Sequence, residues 1–198
     1  GQRIDKHYGD WLHIWNELTQ EPGKQRGYAN MVGNVPALTV KREGATATTP
    51  STSLYIPLQF WFCRNPGLAL PLIALQYHEV KINLEFESAA NCYEGTPSAT
   101  PSLSAASLYV DYVYLDTDER RRFAQVSHEY LIEQLQFTGD EAVSGTSSKI
   151  KLNFNHPVKE LVWVVQKDTV SNSTNQQWFN YTDAIDASDF TGTPADPL

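Results

Sequence analysis

Two glutamates, Glu85 and Glu87, have the spacing that comes closest to a catalytic pair in this 198-residue chain. Residues at i and i+2 of a strand share one face about 6.5 to 7 Å apart, which is the carboxylate separation of an inverting glycosidase. Acid–base chemistry would also need a cleft and one carboxyl with a raised pKa. Because neighbouring carboxylates on a strand face are usually solvated, we favour a polar surface over a catalytic pair.

Histidines and cysteines are the next candidates, as metal ligands or nucleophiles. They are His7, His13, His78, His128, His156, Cys63 and Cys92. No two histidines stand at i, i+2 or i, i+4, the spacings of a metal pair on a strand or helix. Two cysteines cannot form a disulfide framework, which favours a reducing compartment. Cys63 lies among aromatic residues and is predicted to be a small buried hydrophobe. We expect no catalytic residue, no metal and no cofactor.

Phosphate and nucleic-acid binding are disfavoured by the charge pattern. The 15 basic and 23 acidic side chains give a net charge of −8, whereas phosphate neutralisation needs clustered Lys and Arg. The one basic cluster, residues 120–122, follows Asp118 and Glu119, so local ion pairs on a helix explain it. Residues 27–34 carry two glycines without the Lys-Ser/Thr end of a phosphate loop, and they predict a turn.

Sugar chemistry has two kinds of candidate residue. Asn172 and Asn180 each begin an N-glycosylation acceptor pattern, which matters only in the secretory pathway. Among the tryptophans, Trp61 and Trp163 lie in apolar runs that favour a core position. Trp178 lies in polar surroundings and is the best candidate for an exposed sugar-binding face.

Alternating apolar and polar residues predict the elements that would position these side chains. Alternation is clearest over residues 80–86, and it recurs over residues 108–114 and 150–154. Residues 54–62, 68–75 and 161–165 are apolar on both faces, as in covered strands, although Pro57 and Pro71 restrict two of them to edges or bulges. Long polar loops separate the runs. The pattern predicts an all-β sandwich of the jelly-roll type.

Helical periodicity is confined to two short segments. Residues 10–18 repeat apolar side chains at a spacing of nearly 3.6 residues, and Asp10 is predicted to cap this helix. Residues 117–124 begin with a capping residue and carry acids before arginines, which matches the helix dipole. Because the second helix lies between the strands predicted at residues 108–114 and 129–137, we interpret it as a connection between two β domains.

The chain shows no secretory signal and no apolar run near the ~20 residues needed to span a bilayer. It begins without a Met and ends in turn-forming residues. We expect it to be an internal piece of a longer protein.

Several strings resemble one protein family, the major capsid proteins of nucleocytoplasmic large DNA viruses, with the algal-virus and iridovirus branches nearest. They occur in order at residues 4–15, 27–34, 55–79, 110–130 and 155–163. Examples are YIPLQFWFCRNPGLA at residues 55–69 and NHPVKELVW at residues 155–163.

The resemblance implies a structural protein and not an enzyme. Its implied fold is all-β, a double jelly roll, here an internal fragment with few short helices. Residues 1–117 would be the later part of the first jelly roll, residues 118–124 the connection and residues 125–198 the beginning of the second. Its implied partners are two further copies in a trimer, neighbouring pseudo-hexagonal capsomers and minor capsid proteins, with no direct nucleic acid. The shell would tile an icosahedron after assembly in the host cytoplasm, near an internal virion membrane that the chain does not span.

Two other functions remain open from the sequence. A carbohydrate-binding β-sandwich would use Trp178 and act as a monomer, and loss of glycan binding in Trp178→Ala would support it. A jelly-roll glycosidase would depend on Glu85 and Glu87, and loss of hydrolysis in Glu85→Gln would support that reading.

Overall fold

The computed structural model describes residues 2–39, 50–93, 102–171 and 178–181, and its regular structure there is helical. The α-helices are Gly9–Thr19 (α1), Pro22–Val32 (α2), Pro36–Thr39 (α3), Trp61–Arg64 (α4), Thr117–Gln125 (α5) and Asp168–Ser171 (α6). Two 3-10 turns lie at Pro66–Leu68 and Ala89–Asn91. Within the described ranges, no helix is long and apolar enough to cross a membrane.

Helix α1 confirms the helix predicted over residues 10–18. Trp11 and Trp15, four residues apart, hold their rings 5.4 Å apart on one face. Asp10 does not cap the helix, because Tyr8 occupies the N-cap position; Asp10 lies instead in the first turn, where its charge suits the helix dipole. The helix ends at Thr19, whose hydroxyl donates to the Trp15 carbonyl at 2.6 Å.

Helix α2 was not predicted, since residues 27–34 were interpreted as a turn. Pro22 begins the helix, where a fixed φ and a missing N–H cost nothing. The predicted turn is confined to Gly33, which closes the helix at φ 84°. Just beyond, the Tyr55 N–H donates to the Met31 carbonyl at 2.8 Å and brings a later segment back to the helix end.

Helix α5 confirms the predicted helix over residues 117–124. Its N-cap is Asp116 and not the predicted Thr117, and the Asp116 carboxylate accepts from the Glu119 N–H at 2.8 Å. Arg121 pairs with Asp118 at 3.4 Å, as expected for local charge pairing in this cluster. After the helix ends, a ring nitrogen of His128 lies 2.8 Å from the Phe123 carbonyl.

The predicted fold class, an all-β double jelly roll, is wrong for this structure. In the described ranges, residues 80–86, 108–114 and 150–154 lie outside helices and form no strand. Alternation records which side chains share a face, whereas a strand also requires a neighbouring backbone to complete its hydrogen-bond ladder. The apolar face of residues 80–86 is exposed, so no second layer covers it.

The apolar runs at residues 54–62 and 68–75 also fail to form strands. Trp61–Arg64 is one helical turn, and Pro66–Leu68 follows as a 3-10 turn. Residues 72–77 are turns. Because Pro57 and Pro71 have no N–H to give a ladder, local turns satisfy the backbone more readily than sheet pairing.

Trp61 is the one buried apolar residue among those that the structure describes, at 8% exposure. This confirms its predicted core position. Its ring meets Phe62 edge-on at 5.3 Å and lies 6.0 Å from the Tyr130 ring. The core is therefore a small aromatic cluster beside α4.

Candidate functional site

An N-terminal segment, residues 3–8, lies against residues 134–137. The Gln134 side-chain amide donates to the Ile4 carbonyl, and the Leu135 N–H donates to Asp5 Oδ1 at 3.3 Å. The Tyr8 ring meets Phe137 edge-on at 5.4 Å. These contacts join positions 130 residues apart. We call this contact region the junction.

Asp5 is the polar centre of the junction, with a side chain only 4% exposed. Its Oδ1 also accepts from the Lys6 N–H at 2.8 Å, and its Oδ2 lies 3.2 Å from His7 Nε2. The His7 imidazole stacks on Phe60 at 4.5 Å. A buried carboxylate is stabilised by charge-assisted hydrogen bonds of this kind, so Asp5 positions the N-terminal segment.

A second polar contact lies at Glu133, next to the junction. Glu133 pairs with Arg64 at 3.2 Å and with Lys159, and the Arg64 guanidinium lies 5.4 Å from the centre of the Trp15 ring. The hydrogen bond from Lys159 and the nearby cations hold the pKa of Glu133 below its usual value, against a smaller effect of burial. One carboxylate thus connects α4 to residue 159 and, through Arg64, to α1.

A third contact joins α1 to residues 178–181. The His13 ring lies 4.7 Å from the Phe179 ring and 6.3 Å from the Tyr181 ring. The Gln166 amide donates to the carbonyls of Trp178 and Asn180 at 2.9 and 3.1 Å. Burial, with a smaller effect of Asp10, raises the pKa of Tyr181.

Many large apolar side chains are exposed in three segments of the described chain. We define three apolar rows, at residues 80–86, 108–114 and 161–165. Their exposed members are Val80, Ile82, Leu84, Phe86, Leu108, Tyr109, Val110, Tyr112, Val113, Tyr114, Leu161, Trp163, Val164 and Val165. Where such side chains form a contiguous patch, they are typical of an interaction surface.

The catalytic candidates do not form a site. Glu85 and Glu87 are exposed, and the Ser88 N–H together with the Asn91 amide lowers the pKa of Glu87, whereas a general acid needs a raised one. No group of three His, Cys, Asp or Glu side chains that could hold a metal occurs in the described ranges.

Cys63 is exposed, which corrects its predicted burial. Partial desolvation nevertheless raises the pKa of its thiol, against smaller lowering effects of the Phe60 hydrogen bond and of Arg64. A raised pKa disfavours the thiolate that a nucleophile needs.

The tryptophans and the glycosylation asparagine that the structure describes differ in how far they are exposed. Trp178 is half-buried with its Nε1 enclosed, so it does not present the expected exposed platform. Trp163, predicted to be in the core, is instead 80% exposed. Asn180 is half-buried, while Asn172 lies outside the described residues.

Asp5 and Glu133 are structurally important polar residues that the sequence did not single out, and His7 was considered only as a metal ligand or nucleophile. The Asp-x-His spacing of residues 5–7 is a local signal, but its partners Phe60 and Leu135 are remote in sequence. Glu133 lies in a segment predicted to be a strand. Only tertiary contact distinguishes these residues from ordinary surface charges.

Two family models match the chain almost from end to end. The "Major capsid protein N-terminus" model matches residues 1–116, and the "Large eukaryotic DNA virus major capsid protein" model matches residues 119–194.

Individual relatives agree with these family matches. A major capsid protein of Pyramimonas orientalis virus is 71% identical over 83% of the chain and 39% of its own length. Those of Chrysochromulina ericina virus and Phaeocystis pouchetii virus are 54% and 52% identical over 94% of the chain, and over 40% and 44% of their own lengths. The chain therefore spans about two fifths of the length of these curated relatives. No solved structure gives a significant match.

Proposed function

We propose a role in building the shell of a virus particle for this chain, which belongs to the major capsid proteins of large eukaryotic DNA viruses. The family predicted from residues 55–69 and 155–163 is confirmed, and it is a family of virion structural proteins. The observation that carries the proposal is the pair of capsid-protein models that together account for residues 1–116 and 119–194.

The proposed partners are further copies of the same protein. We infer a homotrimer with a pseudo-hexagonal outline that contacts neighbouring capsomers and minor capsid proteins, assembled in the host cytoplasm. The apolar rows support self-association, because stable subunit interfaces bury large, partly apolar surfaces. The acidic balance of the chain gives no support to direct nucleic-acid contact. We place an internal virion membrane near the shell but not across the chain.

The proposed organisation has two parts, residues 1–117 and 125–198, joined by residues 118–124. Support comes from the family matches, which stop at residue 116 and resume at residue 119. Helix α5 begins at Thr117 and so coincides with this change. The junction gives the two parts a direct noncovalent contact in addition to the covalent one.

We propose that the chain has no enzymatic activity. This rests on the structural character of the family and on the lowered pKa of the Glu87 carboxyl. The carbohydrate-binding alternative loses its main support, since the Trp178 ring is half-buried.

Glycan attachment at Asn172 and Asn180 remains a proposal supported by the two acceptor patterns. Mass spectrometry of glycopeptides from purified virions tests it. Unmodified peptides that contain both asparagines would refute it.

The test of assembly is the mass in solution of the full-length protein that contains this chain, measured by light scattering. A stable trimer is expected, and a monomer at micromolar concentration would refute the proposal. Trp163→Ser should weaken the trimer, since exposed aromatic residues dominate interface energies. Tyr77→Ser is the matched control, because Tyr77 is 90% exposed but lies outside the apolar rows.

A further inference from the structure

An open cleft of about 250 Å³ lies beside the junction. The N-terminal segment contributes Arg3, Lys6 and Tyr8 to its wall, and the opposite wall comes from residues 135–138 and 153–154. The cleft therefore exists only while the N-terminal segment lies against residues 134–137.

The charge of this cleft is opposite to that of the chain as a whole. Its lining contains two cationic side chains, Arg3 and Lys6, and no carboxylate, although the chain carries a net charge of −8. The Lys6 ammonium lies 5.1 Å from the centre of the Tyr8 ring, a cation–π contact that favours its position at the wall. Gln136 exchanges hydrogen bonds with the backbone of Asn155 at 2.9 and 3.0 Å, so the opposite wall is also held in place.

This chemistry suits a carboxylate. A guanidinium offers paired donors that match the two oxygens of a carboxylate, and an ammonium adds a second charge. The aromatic and apolar members of the wall, Tyr8, Leu135, Phe137 and Phe154, would contact the carbon chain of a glutamate or aspartate.

We propose that the cleft is a self-association contact that receives an acidic side chain from a second copy of this chain. The proposal rests on the proposed function in shell assembly, which requires copies to meet. Charge complementarity favours a second copy as the occupant, because the chain has 23 acidic residues and some, such as Glu79 at 75% side-chain exposure, are well exposed. Complementary charges across an interface select the partner and its orientation.

The experiment measures the association constant of the full-length protein by sedimentation velocity at 50 and 300 mM NaCl. The variant Arg3→Glu with Lys6→Glu reverses both cleft charges and should weaken association at least about tenfold at low salt. Lys24→Glu with Lys149→Glu changes the net charge by the same amount at exposed lysines outside both the cleft and the apolar rows and should have a smaller effect. Circular dichroism confirms that all variants are folded.

Each outcome separates this proposal from the broader one. Weaker association of the cleft variant, with little change in the control variant, supports the cleft contact. Equal association of the cleft variant and the wild type refutes the cleft contact while the assembly function stands. A wild-type monomer refutes both proposals. Calorimetry with inorganic phosphate tests whether a free anion occupies the cleft. If the cleft variant loses phosphate binding but associates as the wild type does, the proposal that a second copy occupies the cleft is refuted.

Discussion

Replacing Asp5 by alanine should release the N-terminal segment from residues 134–137. The Asp5 side chain is 4% exposed and receives the Lys6 and Leu135 N–H groups as well as His7 Nε2. A hydrogen bond to a charged group contributes about 1.5–3 kcal/mol to the stability of the fold, and a buried donor left without an acceptor costs about 1–3 kcal/mol. Since the Leu135 contact is long at 3.3 Å, we expect a total loss of about 3 kcal/mol.

Hydrogen exchange at the Leu135 amide, followed by mass spectrometry of the full-length protein, measures this loss directly. A change of about 3 kcal/mol corresponds to exchange that is faster by roughly 100-fold. Asp5→Asn keeps one acceptor oxygen and should lose only about 1–2 kcal/mol. Asp118→Ala is the control, because Asp118 is 91% exposed and its removal should change protection little. If the Leu135 amide exchanges equally fast in Asp5→Ala and in Asp118→Ala, Asp5 does not hold the junction.

Three further predictions concern stability. The lowered pKa of Glu133 contributes stability that is present above the unfolded-state pKa and lost as the pH falls through the folded-state pKa. When the pH is lowered below about 4.5, the melting temperature of the wild type should therefore fall more than that of Glu133→Gln. The difference should be small because the Glu133 side chain is partly exposed. Gly33→Ala should destabilise by more than about 1 kcal/mol in urea, since φ is 84° and a Cβ would lie 2.8 Å from Leu54 Cδ2, whereas Gly27→Ala meets open space inside α2 and should stabilise by about 0.5–1 kcal/mol. Trp61→Ala should cost about 3–5 kcal/mol of unfolding free energy and Trp61→Phe less, and equal urea midpoints for the two variants would contradict a packed core at this residue.

Local signals predicted two of the helices, α1 and α5. The order of acidic and basic residues after Thr117 identified α5, and 3.6-residue periodicity identified α1, although the predicted caps at Thr117 and Asp10 lie one or two residues past the true ones, Asp116 and Tyr8. Helix α2 was not predicted because Gly23 and Gly27 interrupt its apolar periodicity, although Pro22 at its start and Gly33 at its end are recognisable boundary signals.

Nonlocal structure could not be predicted in the same way. Residues 80–86 have the alternation of a strand, but strand formation depends on a neighbour that alternation does not specify. Leu135 lies 130 positions from its acceptor Asp5, and Lys159 lies 26 positions from its partner Glu133, beyond any periodic pattern. The family strings, by contrast, depend on residue identity and indicated the family without requiring the correct fold.

The sequence separation at the junction has a consequence for synthesis on the ribosome. Ile4 and Asp5 are made 130 residues before Gln134 and Leu135, and at about 5–20 residues per second the interval between the two is roughly 7 to 26 s. During that interval the buried carboxylate of Asp5 has no Leu135 N–H to accept from, and the charged cleft has only one wall. If the cleft is the proposed contact between copies, nascent chains on one messenger would carry an incomplete binding surface until residues 134–137 emerge, and association would wait until each chain closes its own junction.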